Sequence, residues 1–168
     1  MAWPSERLAG RRKTSRLAAL RMAPVAPREV EPGMVVYIDP GILRTLGGCV
    51  TNASLDGEDR SVKGPHYFFI FDADNTTASA VVLFGEGRKG RDELDETLKS
   101  GHAAKWKGAP SFVHRWAQYW IPLESITLAS VGDDSPVENR RRYSVTSPEF
   151  LTRIRAFARK NTNPKRPL

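Results

Sequence analysis

Histidine is the side chain best suited to moving a proton near neutral pH, and the chain has three, His66, His102 and His114. His66 stands three residues after Lys63, and His114 stands beside Arg115. Each pair sets a proton acceptor next to a cation, as general acid or base work on a phosphodiester requires. His66 and Lys63 are therefore the candidate catalytic groups. Arg88, Lys89 and Arg91 surround the turn Gly85-Glu86-Gly87-Arg88-Lys89-Gly90, whose glycines leave backbone N–H groups open to phosphate oxygens. A further run, Arg140-Arg141-Arg142, continues into Arg153, Arg155, Arg159, Lys160, Lys165 and Arg166. Clustered cations gain affinity for a polyanion by counterion release. Arg88, Lys89, Arg91, His114, Arg115, Arg140, Arg141 and Arg142 are accordingly the candidate nucleic-acid contacts. The same residue types also serve as half-buried histidines bonded to backbone carbonyls, or as a solvated helix face.

Other chemistries find less in the sequence. Gly85 to Gly90 matches G-x-G-x-x-G after a strand and before a stretch read as helix, but a dinucleotide site needs an acid about 20 residues later. No Asp or Glu lies between Glu96 and Glu124, so no nucleotide cofactor is expected. The histidines are not at ligand spacing and no cysteine pair accompanies them, so no metal site is expected either. Cys49 is the one cysteine, which excludes an internal disulfide, and neither it nor a G-x-S-x-G serine supports a nucleophilic triad. Asp72 with Asp74, and Asp133 with Asp134, read as turn residues. Trp106, Trp116, Tyr119 and Trp120, interleaved with Lys105, Lys107, His114 and Arg115, form either core or a base-stacking surface, and stacking needs exposed rings.

The elements that must hold these groups are short strands. Met34 to Ile38 is β-branched and apolar and ends at Asp39-Pro40-Gly41, which reads as a turn. Residues 41 to 64 read as a long loop. His66 to Phe71 and Ser79 to Phe84, joined through Asp72-Ala73-Asp74-Asn75, read as a hairpin at the centre of a sheet, with both faces of its first strand buried. Asp92 to Ser100 reads as a short surface helix. Phe112 to Ile121 alternates, with Phe112, His114, Trp116, Gln118 and Trp120 on one face and Val113, Arg115, Ala117, Tyr119 and Ile121 on the other. Ser125 to Ser130 reads as a further strand. Ser147-Pro148-Glu149 supplies a cap, a first-turn proline and an acid, opening a helix with Phe150, Leu151, Ile154, Phe157 and Ala158 on its apolar stripe. The expected fold is mainly β, a small, strongly bent β-barrel with an amphipathic C-terminal helix and a basic N-terminal arm.

Composition locates the charge. The 168 residues carry a net +7, yet residues 1–32 hold seven basic and three acidic groups, residues 33–139 ten and fifteen, and residues 140–168 nine and one. The ends are +4 and +8 and the middle is −5. This divides the chain into a basic arm over 1–32, a barrel domain over 33–160 and a basic tail over 161–168. In the arm, Ser5 caps a short cationic helix before the prolines at 24, 27 and 32. No apolar run approaches the roughly 18 residues of a spanning helix, so no membrane partner is expected. A lone cysteine fits a reducing, cytoplasmic setting; the arginine-rich, acid-poor arm also has the composition of an organellar presequence.

The order of elements resembles the PemK/MazF-like toxins, small SH3-like barrels of toxin–antitoxin pairs. Gly33 to Asp39 is similar to that family's opening strand, and Lys63-Gly64-Pro65-His66-Tyr67-Phe68-Phe69-Ile70 falls where the family has a glycine, an arginine-proline pair and an apolar strand. Val81 to Phe84 with the glycine turn matches the next strand, and Ser147 to Leu151 with Ile154 the terminal helix, so the likeness covers about residues 33 to 160. The resemblance implies metal-independent cleavage of single-stranded RNA through its own 2′-hydroxyl, a homodimer, and inhibition by an antitoxin peptide. Two positions depart from the family. Lys63 and His66 replace the arginine-proline pair, and the Gly85 to Gly90 turn stands where the family has a hydroxyl residue. Two functions therefore stand side by side: an RNA-cleaving enzyme, and a non-catalytic barrel that binds nucleic acid or a ribonucleoprotein through its basic ends. A structural subunit threaded by its arms into a larger assembly is a third.

Overall fold

A computed structural model describes residues 25–55, 58–88, 91–101, 104–130 and 143–168, with backbone alone at 55, 104, 105, 115 and 116. The strands are β1 Met34–Ile38, β2 Val50–Thr51, β3 Ser54–Leu55, β4 Glu58–Asp59, β5 His66–Ala73, β6 Thr77–Phe84, β7 Arg91–Leu94, β8 Lys99–Ser100, β9 Ser111–Pro122, β10 Tyr143–Val145 and β11 Arg166–Pro167. The helices are α1 Pro40–Leu46, α2 Ala104–Gly108, α3 Leu123–Ala129 and α4 Pro148–Lys160. β3 and β4 pair with each other, and the remaining strands form one antiparallel sheet in the order β11-β2-β9-β6-β5-β1-β10-β8, with β7 added to β9. The fold is mainly β with an amphipathic C-terminal helix. Bulges between Ile70 and Asp72 and between Val81 and Leu83 bend the sheet, whose described ends β11 and β8 do not pair to close it.

The β5–β6 hairpin is central, as its composition demands. Asp74 Oδ1 accepts hydrogen bonds from the N–H groups of Thr76 (2.7 Å) and Thr77 (2.8 Å), which fixes the turn. Both faces of the hairpin are covered, which is why its strands read as nearly unbroken apolar runs. On one face Phe68, Ile70, Ala80 and Val82 pack with Tyr119, Leu43 of α1 and Ile126 of α3. On the other, Phe69, Phe71, Val81 and Leu83 pack with Trp106 and with Phe150 and Ile154 of α4. Ser147 Oγ accepts from Phe150 N at 3.1 Å and starts α4 where its cap predicts.

Four elements differ from the sequence reading. Asp39-Pro40-Gly41 opens α1, with Asp39 capping Gly41 N at 2.7 Å and Pro40 in the first turn, so the expected loop over 41–64 contains α1 and three short strands. Residues 92–100 supply β7, a 3-10 turn and β8 instead of a helix, because Asp92 to Leu94 pair with Ser111 to Val113. The glycine turn therefore leads into a strand, which removes the helix a dinucleotide fingerprint requires. Ser125 to Ser130 lies mostly in α3, whose buried Leu123, Ile126 and Ala129 recur at helical spacing. In β9 the register shift makes Leu83 face Val113 while Val81 faces Gln118. Val113 and Tyr119, expected on one face, consequently belong to opposite cores.

The described parts of the two basic ends are tied to α3 and to the sheet respectively. Val25 is fully buried and its carbonyl accepts from Thr127 Oγ1 at 2.6 Å, while residues 1–24 lie outside the described part. At the other end β11 pairs with β2, and Leu168 N donates to Cys49 O at 3.0 Å.

Candidate functional site

Strand pairing assembles the candidate site from three distant stretches. Tyr67 of β5 is opposite Leu83 of β6, which sets His66 beside Phe84, their ring centroids 5.2 Å apart and edge-on. Arg91 of β7 is the direct cross-strand partner of His114 on β9, and Phe84 is the partner of Phe112. The His114 ring therefore also meets Phe84 edge-on, at 6.0 Å, and the Arg91 guanidinium lies 3.7 Å from the centroid of the same ring. Arg91 Nη1 donates to the Glu86 carbonyl at 2.8 Å, which anchors the cation to the glycine turn. Phe84 is thus a hub with two imidazoles and a guanidinium about it.

Local partners set the protonation of each group. His66 Nδ1 is 2.8 Å from the Gly64 carbonyl, which only accepts, so Nδ1 carries the proton and a neutral ring keeps its lone pair at Nε2. Among the described residues His114 Nδ1 is buried with no hydrogen-bond partner. Burial, then the charge of Arg91, push the His114 pKa down, so this imidazole is neutral at physiological pH. Burial also lowers the Arg91 pKa, helped by Arg88 and opposed by Glu86. Arg88 itself is exposed and paired with Glu86 at 3.1 Å, an ion pair of little energetic weight in solvent.

His66 and Phe84 also form part of the wall of a cavity of about 200 Å³. Its other sides are made by Tyr37, Tyr67, Trp106 and Ser111. A half-buried base with an available lone pair, a neighbouring cation and a concave apolar surface are the parts a phosphodiester-cleaving site would use.

The other predicted residues are placed differently. Lys63 is exposed in the loop before β5, where its charge adds to that of Arg166 in holding down the pKa of Asp59, whose main cause is hydrogen bonding from Ser61. Lys89, Arg140, Arg141 and Arg142 lie outside the described residues, and Arg115 is described by its backbone only. Trp106 is 1% exposed and Tyr119 0%, so neither ring offers a stacking surface to solvent. The Tyr119 hydroxyl accepts from Val62 N at 3.0 Å, and burial pushes its pKa up to about 12. Cys49 is buried, and desolvation pushes its thiol up to about 12, far from the thiolate a nucleophile needs. Among the described residues no three His, Cys, Asp or Glu side chains group as a metal would require, and no helix is long and apolar enough to cross a membrane.

Two features have no direct signal in the sequence reading. Phe84 reads there as strand core, and only pairing reveals it as the hub. A second concavity, about 480 Å³, lies between α4 and the sheet, lined by Asp72, Gln118, Trp120, Arg155 and Arg159. There Arg155 Nε donates to the Phe71 carbonyl at 2.9 Å, and Lys165 Nζ sits 3.9 Å from the centroid of the Trp120 ring. The i, i+4 spacing of Arg155 and Arg159 is the one hint of it along the chain. Compared with family models, curated proteins and solved structures, the chain finds no match.

Proposed function

We propose that the chain is a toxin-like, metal-independent endoribonuclease acting on single-stranded RNA at the Phe84 cluster. The observation that carries this reading is the convergence of His66, His114 and Arg91 on one ring beside a cavity. The RNA brings its own nucleophile. Its 2′-hydroxyl attacks the adjacent phosphorus while His66 Nε2 accepts the proton, and the P–O5′ bond breaks. The products are a 2′,3′-cyclic phosphate and a 5′-hydroxyl. Arg91 stabilises charge on the non-bridging oxygens, and the departing O5′ takes its proton from solvent water. His114, kept neutral, is a hydrogen-bonding contact and not the acid. The PemK/MazF-like resemblance supports the same reading, and with it a cytoplasmic homodimer held inactive by an antitoxin.

Incubation of single-stranded RNA with the protein in excess chelator tests it. Fragments ending in cyclic phosphate are expected, with the rate falling about 10²- to 10⁴-fold in His66→Ala, the usual worth of a positioned base. RNA that is bound but stays intact would overturn catalysis.

A second reading has its own observation. The groove under α4 gathers Arg155, Arg159, Lys165 and the half-buried Trp120 near the turn end of the β5–β6 hairpin, whereas His66 and Phe84 stand at its open end. Cations beside an aromatic ring suit a single-stranded nucleic acid held without cleavage.

A further inference from the structure

We infer that the cavity beside His66 is a nucleobase pocket, which takes one unstacked base of a single-stranded nucleic acid whose phosphate then lies toward Arg91. This rests on the RNA-acting reading above and adds a subsite to it.

Size comes first. At about 200 Å³ the cavity is smaller than the roughly 300–1,000 Å³ of sites for drug-sized ligands, so it admits one ring system and not a dinucleotide. Its walls come next. Tyr37 and Tyr67 lie 4.9 Å apart between centroids, Tyr67 and Trp106 5.2 Å, and Trp106 stacks on Tyr143 at 5.4 Å. Of these rings the half-buried Tyr37 and Tyr67 line the cavity together with His66 and Phe84, while buried Trp106 packs against Tyr67 and backs it; planar bases stack on such surfaces irrespective of sequence.

The row is also held in place. Lys99 is 4% exposed, and its ammonium donates to the carbonyls of Trp106 and Ala109, tying down the segment whose Trp106 backs Tyr67. Trp106 Nε1 donates to the Ser100 carbonyl at 3.0 Å. Gly101 lies at φ +143°, and a Cβ there would come within 2.5 Å of the Tyr143 ring and 3.1 Å of Trp106, so only glycine permits this packing. A wall fixed before binding spares the ligand the cost of ordering it.

Charge selects the occupant. Arg91 lies over Phe84, one of the rings that wall the cavity, with Arg88 close enough to depress its pKa. An apolar peptide side chain would fill the cavity and leave these cations unused. A nucleotide engages both.

The test uses 2′-O-methyl RNA, which lacks the attacking hydroxyl and so measures binding apart from cleavage. In an oligonucleotide long enough to cover the site, each base in turn is replaced by an abasic residue. One position is expected to weaken binding about tenfold, the scale of one base–aromatic stack, with its neighbours nearly silent. In Tyr37→Leu, which keeps apolar bulk and removes the π face, that position should lose its prominence. Ser111→Leu, which fills one side of the cavity, should do the same while leaving salt-dependent binding of the abasic strand intact. A flat abasic profile on the unaltered protein overturns the pocket, whatever the variants do. Cleavage of ordinary RNA with a flat profile overturns the pocket alone. A single sensitive position without cleavage supports the pocket and overturns the enzyme. Failure to bind any strand overturns both.

Discussion

His114 shows how much of this site is decided by surroundings. The side chain has the same chemistry as His66, but burial and the adjacent Arg91 both disfavour its imidazolium. Its pKa in the folded protein is therefore below the value near 6.5 of the unfolded chain. Above that value both states hold a neutral ring and the group is silent. On acidification through it the unfolded state takes up a proton first, so folding stability falls, and the loss continues until the folded-state pKa is passed. Urea unfolding near pH 7.5 and near pH 5.5 should show the wild type losing more stability than His114→Gln over the same interval. Equal losses in the two proteins would mean that His114 titrates alike folded and unfolded.

At the level of elements, local signals succeed where they specify backbone geometry and fail where long-range pairing decides. Ser147-Pro148-Glu149 marks the start of α4, and Ser147 does accept the Phe150 N–H. Ser147→Ala should accordingly cost about 1 kcal/mol, seen as a lower urea midpoint with an unchanged slope, whereas no change would mean the cap is not limiting. The β5–β6 hairpin is legible because its apolar runs require two covered faces and its aspartates make the turn. β7 is not, since its acidic sequence favours the start of a helix and only pairing with β9 overrides it. α3 carries the opposite conflict, β-branched Ile126 and Thr127 on a segment whose buried positions are spaced for a helix. The site shares this mixture of signals. His66, Arg91 and His114 are nameable by residue type, but their convergence depends on Arg91 being opposite His114 and Tyr67 opposite Leu83. The register shift between β6 and β9, which changes which residues share a face, leaves no local mark.

For the whole molecule the question is where a polyanion would gain its affinity. The described C-terminal stretch, residues 143–168, holds six basic groups and one acidic group, while the strands around Phe84 belong to a body whose net charge is negative. Not all six cations are equally available. Arg166 is tied to Asp59 and the Ala53 carbonyl, and Arg155 to the Phe71 carbonyl with Asp72 at 3.7 Å. Arg159 and Lys165 are exposed at the groove beside Trp120. If strand binding draws its electrostatic share from this groove, Arg159→Ala with Lys165→Ala should make the dependence of log K on log salt shallower by about 1.4, near 0.7 for each phosphate no longer neutralised on a single strand. His66→Ala should leave that slope unchanged while suppressing cleavage, because the groove and the histidine site occupy opposite ends of the β5–β6 hairpin. An unaltered slope in the double variant would move the phosphate-binding cations away from α4 and leave the histidine end to account for binding as well as chemistry.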